Sequence, residues 1–416
     1  MPRIPPELCA KCKGYKRLCG LPTCPILQRF RTQAMAATRI EGRRVDGATP
    51  PGVLVGESGY PRVNLYLLIP PGIHGEEARD YENPQGWADR RYTLARIIRL
   101  RSSSLGGKTR VDASNPLRLY ETELGLTALS ERPVETEAIL RKPPVPRLRF
   151  DGLTKPLGPT APIEKVTVEG SPRLHPRLEK LIWDDVRAED AAWELYRSGV
   201  DVYTIQRAFS LGMLGRLQRR RIVPTRWTIT AVDEILSRRL RAETRGREAV
   251  DQAELYYGEY LGNKFIIVLL PGPGSIEWIE VWHPRTVWTR RSNKPVIYYL
   301  YEDPLGRKTM EDGGYSAAKL PVLEHLHARG RTADVVIIRE ILPTYYAPIG
   351  NWHIRETVRR ALAQGPLAKA VDPTGLRRDI ESSLVINPSE IFPRSRLLGY
   401  KRRMARLDEF PGFKPD

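Results

Sequence analysis

The chain has 416 residues, with 67 lysines and arginines against 49 aspartates and glutamates, a formal charge of +18 at pH 7. No stretch reaches the roughly 18 apolar residues of a membrane span and no apolar secretory leader opens the sequence, which argues against a membrane or secreted protein and for a soluble, cytoplasmic one. The length suits two or three domains, and a positive excess of this size draws polyanions, nucleic acid among them.

At the N-terminal end, Cys9, Cys12, Cys19 and Cys24 are the four cysteines of the chain. Their first spacing lets one turn offer two thiolates to one tetrahedral ion, and the second pair closes the cage. They are therefore expected to hold Zn2+ in a structural role, because four thiolates leave no open position for water. Lys11, Lys13, Lys16 and Arg17 lie between them and give this small module a basic surface suited to a phosphate backbone.

Further on, the apolar runs Val53–Val55 and Val63–Ile69 flank a turn with Gly56, Gly59 and Pro61, a hairpin signal. Leu94, Ile97 and Ile98 recur at helical spacing between Trp87 and Leu100. The stretch from Arg99 to Arg110, with Arg101, three serines, Gly106, Gly107 and Lys108, superficially looks like a phosphate-cradling loop. The first glycine of that pattern would fall at Ser102 and no clean strand precedes it, so the expectation is a basic loop touching DNA rather than a nucleotide-hydrolysing one. Proline is dense from Pro133 to Pro176, which predicts a long irregular crossing.

The middle third reads as helical, over Asp184–Ser198 and Val202–Leu217. Arg219, Arg220, Arg221 and Arg226 surround Trp227 just before a helix that Thr230 would cap, an arrangement able to hold a phosphate or a splayed base. The alternative makes Trp227 a core residue and pairs the arginines with Asp233 and Glu234. Strands are expected at Lys264–Leu270, Ser275–Trp282, Val296–Tyr301 and Ala333–Ile338, with a helix over Ser316–Ala328. Helices and strands mix without a regular βαβ repeat, so the fold class expected is α+β. Its parts are a zinc module (1–30), a mixed main domain (31–285), a smaller C-terminal domain (286–393) and a flexible basic tail (394–416).

Several segments together resemble one family. They are the four-cysteine head, Gly-Tyr-Pro-Arg-Val from Gly59, Pro-Thr-Arg-Trp-Thr-Ile-Thr-Ala-Val-Asp from Pro224, Leu-Pro-Gly-Pro from Leu270, Gly-Gly-Tyr-Ser-Ala-Ala from Gly313, and Pro-Ile-Gly-Asn-Trp-His-Ile-Arg-Glu from Pro348. In this order, from Cys9 to about Ala361, they look like the archaeal Nre proteins. The resemblance implies a DNA repair protein with a large N-terminal domain, a smaller C-terminal domain and a terminal peptide for the sliding clamp. Met404, Leu407 and Phe410 would be that peptide, in a degenerate form: Met404 replaces the usual glutamine and Pro411 the second aromatic.

For chemistry, no His-Glu-x-x-His segment, nucleophile elbow or two-metal acidic spacing appears. His283 and His353, with Arg226, Tyr315, Arg355 and Glu356, are the candidates for a ligand pocket between the two domains. Two readings follow. One is a repair factor that grips DNA, joins the sliding clamp and positions other repair enzymes. The other is a nucleotide-binding or DNA-end-processing hydrolase that removes a nucleotide adduct.

Overall fold

The computed structural model describes residues 24–120, 122–144, 157–289 and 292–400, together with Cys12, Lys16 and Leu18. Cys9, Cys19 and the segment containing Met404, Leu407 and Phe410 lie outside the described residues. Two compact units emerge. One runs to Arg239 and takes in Tyr346–His353; the other comprises Leu240–Tyr345 and continues from Ile354.

The N-terminal unit begins with helix α1 (Pro25–Thr38), whose ring-restricted first residue suits a helix start. Its sheet follows as β1 (Arg44–Thr49), β2 (Val53–Val55), β3 (Arg62–Ile69), β4 (Leu105–Asp112), β5 (Val134–Leu140) and β6 (Thr160–Glu169), in the order β1-β5-β6-β4-β3-β2. Neighbours are antiparallel except β4 and β6, which pair in parallel over a short stretch. Strand β5 alternates between buried and half-buried residues, and β3 shows the same period at its start. The inward side chains, Val45, Leu67, Ile69, Leu105, Ala138, Leu140 and Ile163, form the core of this unit.

Two expectations fail here. The proline-rich crossing contains β5 and β6, because Pro133 precedes its strand and the ladder tolerates Pro162 beside the short parallel contact. The basic stretch after Arg99 is no loop either: α2 (Pro84–Asp89) and α3 (Leu94–Ser103) lead directly into β4. The order is helix then strand, the reverse of a phosphate-binding loop. Gly107 has a packing reason, since a Cβ there would lie 2.5 Å from the Ile163 side chain.

Short helices α4 (Leu117–Tyr120) and α5 (Glu123–Leu129) precede β5. After β6 come α6 (Pro176–Trp183), α7 (Ala188–Arg197) and α8 (Val202–Ser210), the last capped by the Asp201 carboxylate on Tyr203 N and Thr204 N. Helix α9 spans Thr225–Thr244. It therefore starts a turn and a half before Thr230, directly after Pro224, and Thr230 is an interior residue rather than its cap.

The C-terminal unit is built on β7 (Ala253–Tyr260), β8 (Asn263–Leu270), β9 (Ile276–Trp282), β10 (Val296–Glu302), β11 (Asp334–Ile341) and β12 (Ala368–Ala370), ordered β10-β9-β11-β8-β7-β12. The β9–β11 contact is parallel; the others are antiparallel. Helix α10 (Gly313–Ala328) lies on the face carrying Trp278 and Tyr256, which it meets through Tyr315 and His325. The opposite face is covered by Leu376, Ile380, Ile386, Ile391 and Leu397, residues in and around α12 (Arg377–Ser383) and α13 (Arg396–Tyr400). Both faces being covered explains why Ile276–Trp282 shows no clean alternation in sequence: all but Trp282 are buried. Helix α11 (Trp352–Ala363) follows the Gly350 turn.

Candidate nucleic-acid interface

Pairing register fixes which side chains share a face of the N-terminal sheet. Arg62 lies opposite Asp112, Asn64 opposite Arg110, and Tyr66 opposite both Lys108 and Leu54. Paired residues point the same way, while the intervening Val63, Leu65 and Leu67 are buried. The outer face of β3 and β4 therefore presents Arg62, Arg110 and Lys108 together with Asn64 and Tyr66. Lys108 and Arg110 form no ion pair among the described residues.

The turn before β3 extends this face. Gly59 adopts a left-handed conformation (φ +85°), and a Cβ there would stand 3.1 Å from the Arg62 carbonyl oxygen, so the tight approach calls for glycine. The turn exposes Tyr60, whose ring meets that of Trp227 at a centroid distance of 6.2 Å. Both rings are about half exposed, Tyr60 at 46% and Trp227 at 51%. Trp227 sits in the first turn of α9, which is tied to β2 because Val55 N donates to Thr225 Oγ1 at 2.8 Å. Two large rings in mutual contact yet open to water form a platform on which a flat ring can stack.

Asp112 sets a carboxylate opposite Arg62 at this end of the face. Hydrogen bonds from Ser114 hold its carboxyl below the usual range, and the neighbouring charges of Arg62 and Arg221 push it the same way. Its negative charge offsets part of a cationic row without covering it.

The residues singled out from sequence fall into two groups. Arg219, Arg221, Arg226 and Trp227 are exposed, and Lys108 is half-buried on the strand face. Arg226 reaches Glu57 at 3.3 Å, both side chains well solvated, and it pairs with neither Asp233 nor Glu234 among the described residues. Asp233 is instead buried and accepts from Gln206 at 3.0 Å.

The other group is folded inward. Arg220 gives its guanidinium to the carbonyls of Gly215 (2.6 Å), Ile182 (2.5 Å) and Asp184 (2.8 Å). Arg101 makes a two-pronged bond to Glu82 (2.7 and 3.0 Å), donates to the Ile349 carbonyl at 2.6 Å and lies over the Trp87 ring. Arg355 is fully buried on α11. His353 is buried and hydrogen-bonds the Gly350 carbonyl at 2.7 Å. His283 pairs with Glu340 at 2.9 Å, and Glu356 accepts from Arg359 at 2.8 Å. His353, His283 and Glu356 are each engaged by a structural partner.

Of the four cysteines, Cys12 is buried and Cys24 half-buried; among the described residues no cluster of three metal-binding side chains forms. No helix of the described residues is long and apolar enough to cross a membrane.

Arg62, Asn64, Tyr66 and Tyr60 were not picked out from sequence as a site. The available signal was the two-residue period of Arg62-Val-Asn-Leu-Tyr66 and Lys108-Thr-Arg110, which puts cations and a ring on one side once the two strands pair.

Fold and surface thus define a two-unit α+β protein with a cationic and aromatic strand face. The sequence matches the family model described as archaeal Nre, N-terminal, over residues 18–289, and archaeal Nre, C-terminal, over 302–410. The chain belongs to the archaeal Nre family. It is 34% identical to DNA repair protein NreA of Archaeoglobus fulgidus, over 86% of this chain and 89% of the relative. It is also 34% identical to DNA repair protein NreB of the same organism (85% and 88% covered) and to DNA repair protein NreA of Haloferax volcanii (86% and 87%). No solved structure matches.

Proposed function

We propose that this chain is a cytoplasmic DNA repair protein that grips DNA with the outer face of β3 and β4 and stacks an exposed base on the Tyr60–Trp227 pair. The names of its relatives support the repair role, and the net charge of +18 supports a polyanionic partner. The observation that carries the reading is the alignment of Arg62, Arg110 and Lys108 on one strand face, next to two contacting, half-exposed rings. Cations spaced along a strand track phosphates; a ring pair at one end takes a base by its π-face. Arg219, Arg221 and Arg226 add charge around the rings.

In the same reading Cys9, Cys12, Cys19 and Cys24 hold a structural Zn2+, and Met404, Leu407 and Phe410 tether the protein to the sliding clamp, where other repair enzymes assemble. Metal analysis of the purified chain checks the first, one zinc per chain being the expected result. Removing residues 404–416 checks the second, with clamp affinity falling.

The central test is oligonucleotide binding at stepped salt concentrations. Each phosphate contact contributes about 0.9 to the slope of log affinity against log salt on duplex DNA, so Arg62→Ala with Arg110→Ala flattens the slope by about two. An unchanged slope removes the strand face from the interface.

A further inference from the structure

The C-terminal unit contains a cavity of about 650 Å3, within the ~300–1,000 Å3 usual for small-molecule sites. Register explains its walls. On β9 Trp278, Glu280 and Trp282 are two apart, and on β10 their direct partners are Leu300, Tyr298 and Val296. All six point to the face on which α10 packs, but α10 begins only at Gly313 and leaves the Glu280–Trp282 end of the strand pair uncovered. Trp288, Thr289 and Ser292 close one side, while Met310 and Asp312 close another.

The rings are held in place. Trp282 meets Trp288 edge-on at 5.1 Å, and Trp288 stacks on Tyr345 at 5.3 Å with the planes 22° apart. The Trp282 indole donates to Glu280 Oε2 at 2.8 Å. At the mouth Tyr298 is 53% exposed, a large ring left in water beside an apolar hollow.

The polar groups are few. Glu280 is buried and receives Arg339 Nη1 at 2.7 Å, so its charge is matched by a guanidinium on the adjacent strand. Asp312 caps α10, its Oδ1 accepting from Tyr315 N at 2.7 Å. Its Oδ2 accepts no hydrogen bond among the described residues, and Asp312 is part of the cavity lining.

We propose that this cavity binds a guanine-type nucleobase, stacked against the Tyr298 and Trp282 rings, with its N1–H and exocyclic amino group donating to the Asp312 carboxylate. Three features lead to that class. Flanking rings select a flat π-system. A carboxylate that only accepts selects an edge with two adjacent donors; guanine has one, whereas adenine sets an acceptor beside its amino group. An aromatic cage for a bare cation needs an unneutralised negative floor, and here Arg339 cancels Glu280 while the N-terminal dipole of α10 offsets Asp312. The inference does not depend on the DNA-gripping strand face, which belongs to the other unit.

The test is titration of the full chain with guanosine, inosine and adenosine, read by tryptophan fluorescence and calorimetry. Guanosine is expected to saturate and to bind more tightly than inosine, which lacks the amino group, and than adenosine. Asp312→Asn keeps the helix cap, since asparagine caps as well as aspartate, and should weaken guanosine at least about tenfold through the loss of a charged acceptor. Tyr298→Ala alters only an exposed ring and should weaken all three purine nucleosides. Absence of saturable guanosine binding, equal affinity for adenosine, or an unaffected Asp312→Asn variant overturns the proposal. So does displacement of guanosine by tetramethylammonium, which would make the hollow a cation cage. DNA affinity measured on the same variants should stay unchanged, so failure here and failure of the strand-face reading are separable.

Discussion

The two sheets of this protein place charge in opposite ways. On the N-terminal sheet Arg62, Lys108 and Arg110 stand on the outer face of β3 and β4. In the C-terminal unit the central strand β11 is buried along its whole length, although it contains Asp334, Arg339 and Glu340. There Arg339 meets Glu280 and Asn263, Glu340 accepts from Val385 N, Ile386 N and His283, and Lys319 and Arg241 converge on Glu302. A cation already matched by a buried carboxylate has nothing left to offer a phosphate. Net charge alone therefore says little about where a polyanion could be held; the pairing register decides which cations stay on the surface.

The largest expected effect breaks the inward arrangement. Arg339→Met leaves Glu280 buried without its guanidinium, and removal of one partner from a buried pair costs about 3–5 kcal/mol. Denaturant unfolding would show the loss, whereas a change under about 1 kcal/mol would mean that water reaches Glu280 and the C-terminal charges resemble the exposed ones.

An acid titration follows. Burial alone would raise the carboxyl of Glu254, but hydrogen bonds from Arg329 and Tyr256, with the Arg329 charge, override it and bring it from 4.5 to about 2. A depressed carboxyl stabilises the fold fully above its unfolded value, and that contribution drains away as pH falls from about 4.5 towards 2. Since the Arg329 side chain is a third exposed, the contribution is set at about 2–3 kcal/mol rather than the full linkage value. In Arg329→Met the acid limb of the stability curve should be shallower by that amount; identical limbs would detach Glu254 from the acid response.

On the outward sheet, Trp227→Ala tests the ring pair. Stacking contributes roughly 1–3 kcal/mol per base by alanine substitution, so affinity for single-stranded oligonucleotides should fall by about that much while duplex affinity moves less. Equal losses on both substrates would make Trp227 a support for the backbone contact rather than a base platform.

How much of this was legible beforehand differs between the two regions as well. Strands β8, β9, β10 and β11 and helix α10 were visible because long β-branched runs and a capped apolar stretch name their own conformation. The proline-dense span hid β5 and β6, since proline density signals a loop unless the ladder places each ring where no amide is needed. The site was the less legible part. Arginine clusters near Trp227 and Gly106 drew the eye, yet Arg220 and Arg101 turned inward to carbonyls and to Glu82. Arg62 and Arg110 are nearly fifty positions apart and become neighbours only through the β3–β4 register. The cavity of the C-terminal unit depends on where α10 begins, which no local spacing encodes.

The smallest effect concerns arginines that look available for DNA but are occupied. Arg238 and Arg239 lie on the solvent side of α9, yet they pair with Glu189 and Asp190 of α7, Arg238 at 2.9 Å. The Arg238 hydrogen bond holds the Glu189 carboxyl below its ordinary value, but every partner is more than a third exposed, so solvent screens the attraction. Replacing either arginine with alanine should cost less than about 1 kcal/mol of stability. It should also leave the salt slope of DNA binding where it was, in contrast to Arg62 and Arg110. A flattened slope in Arg238→Ala would mean that an exposed ion pair gives way to phosphate, and the interface would then extend along α9 rather than ending at its first turn.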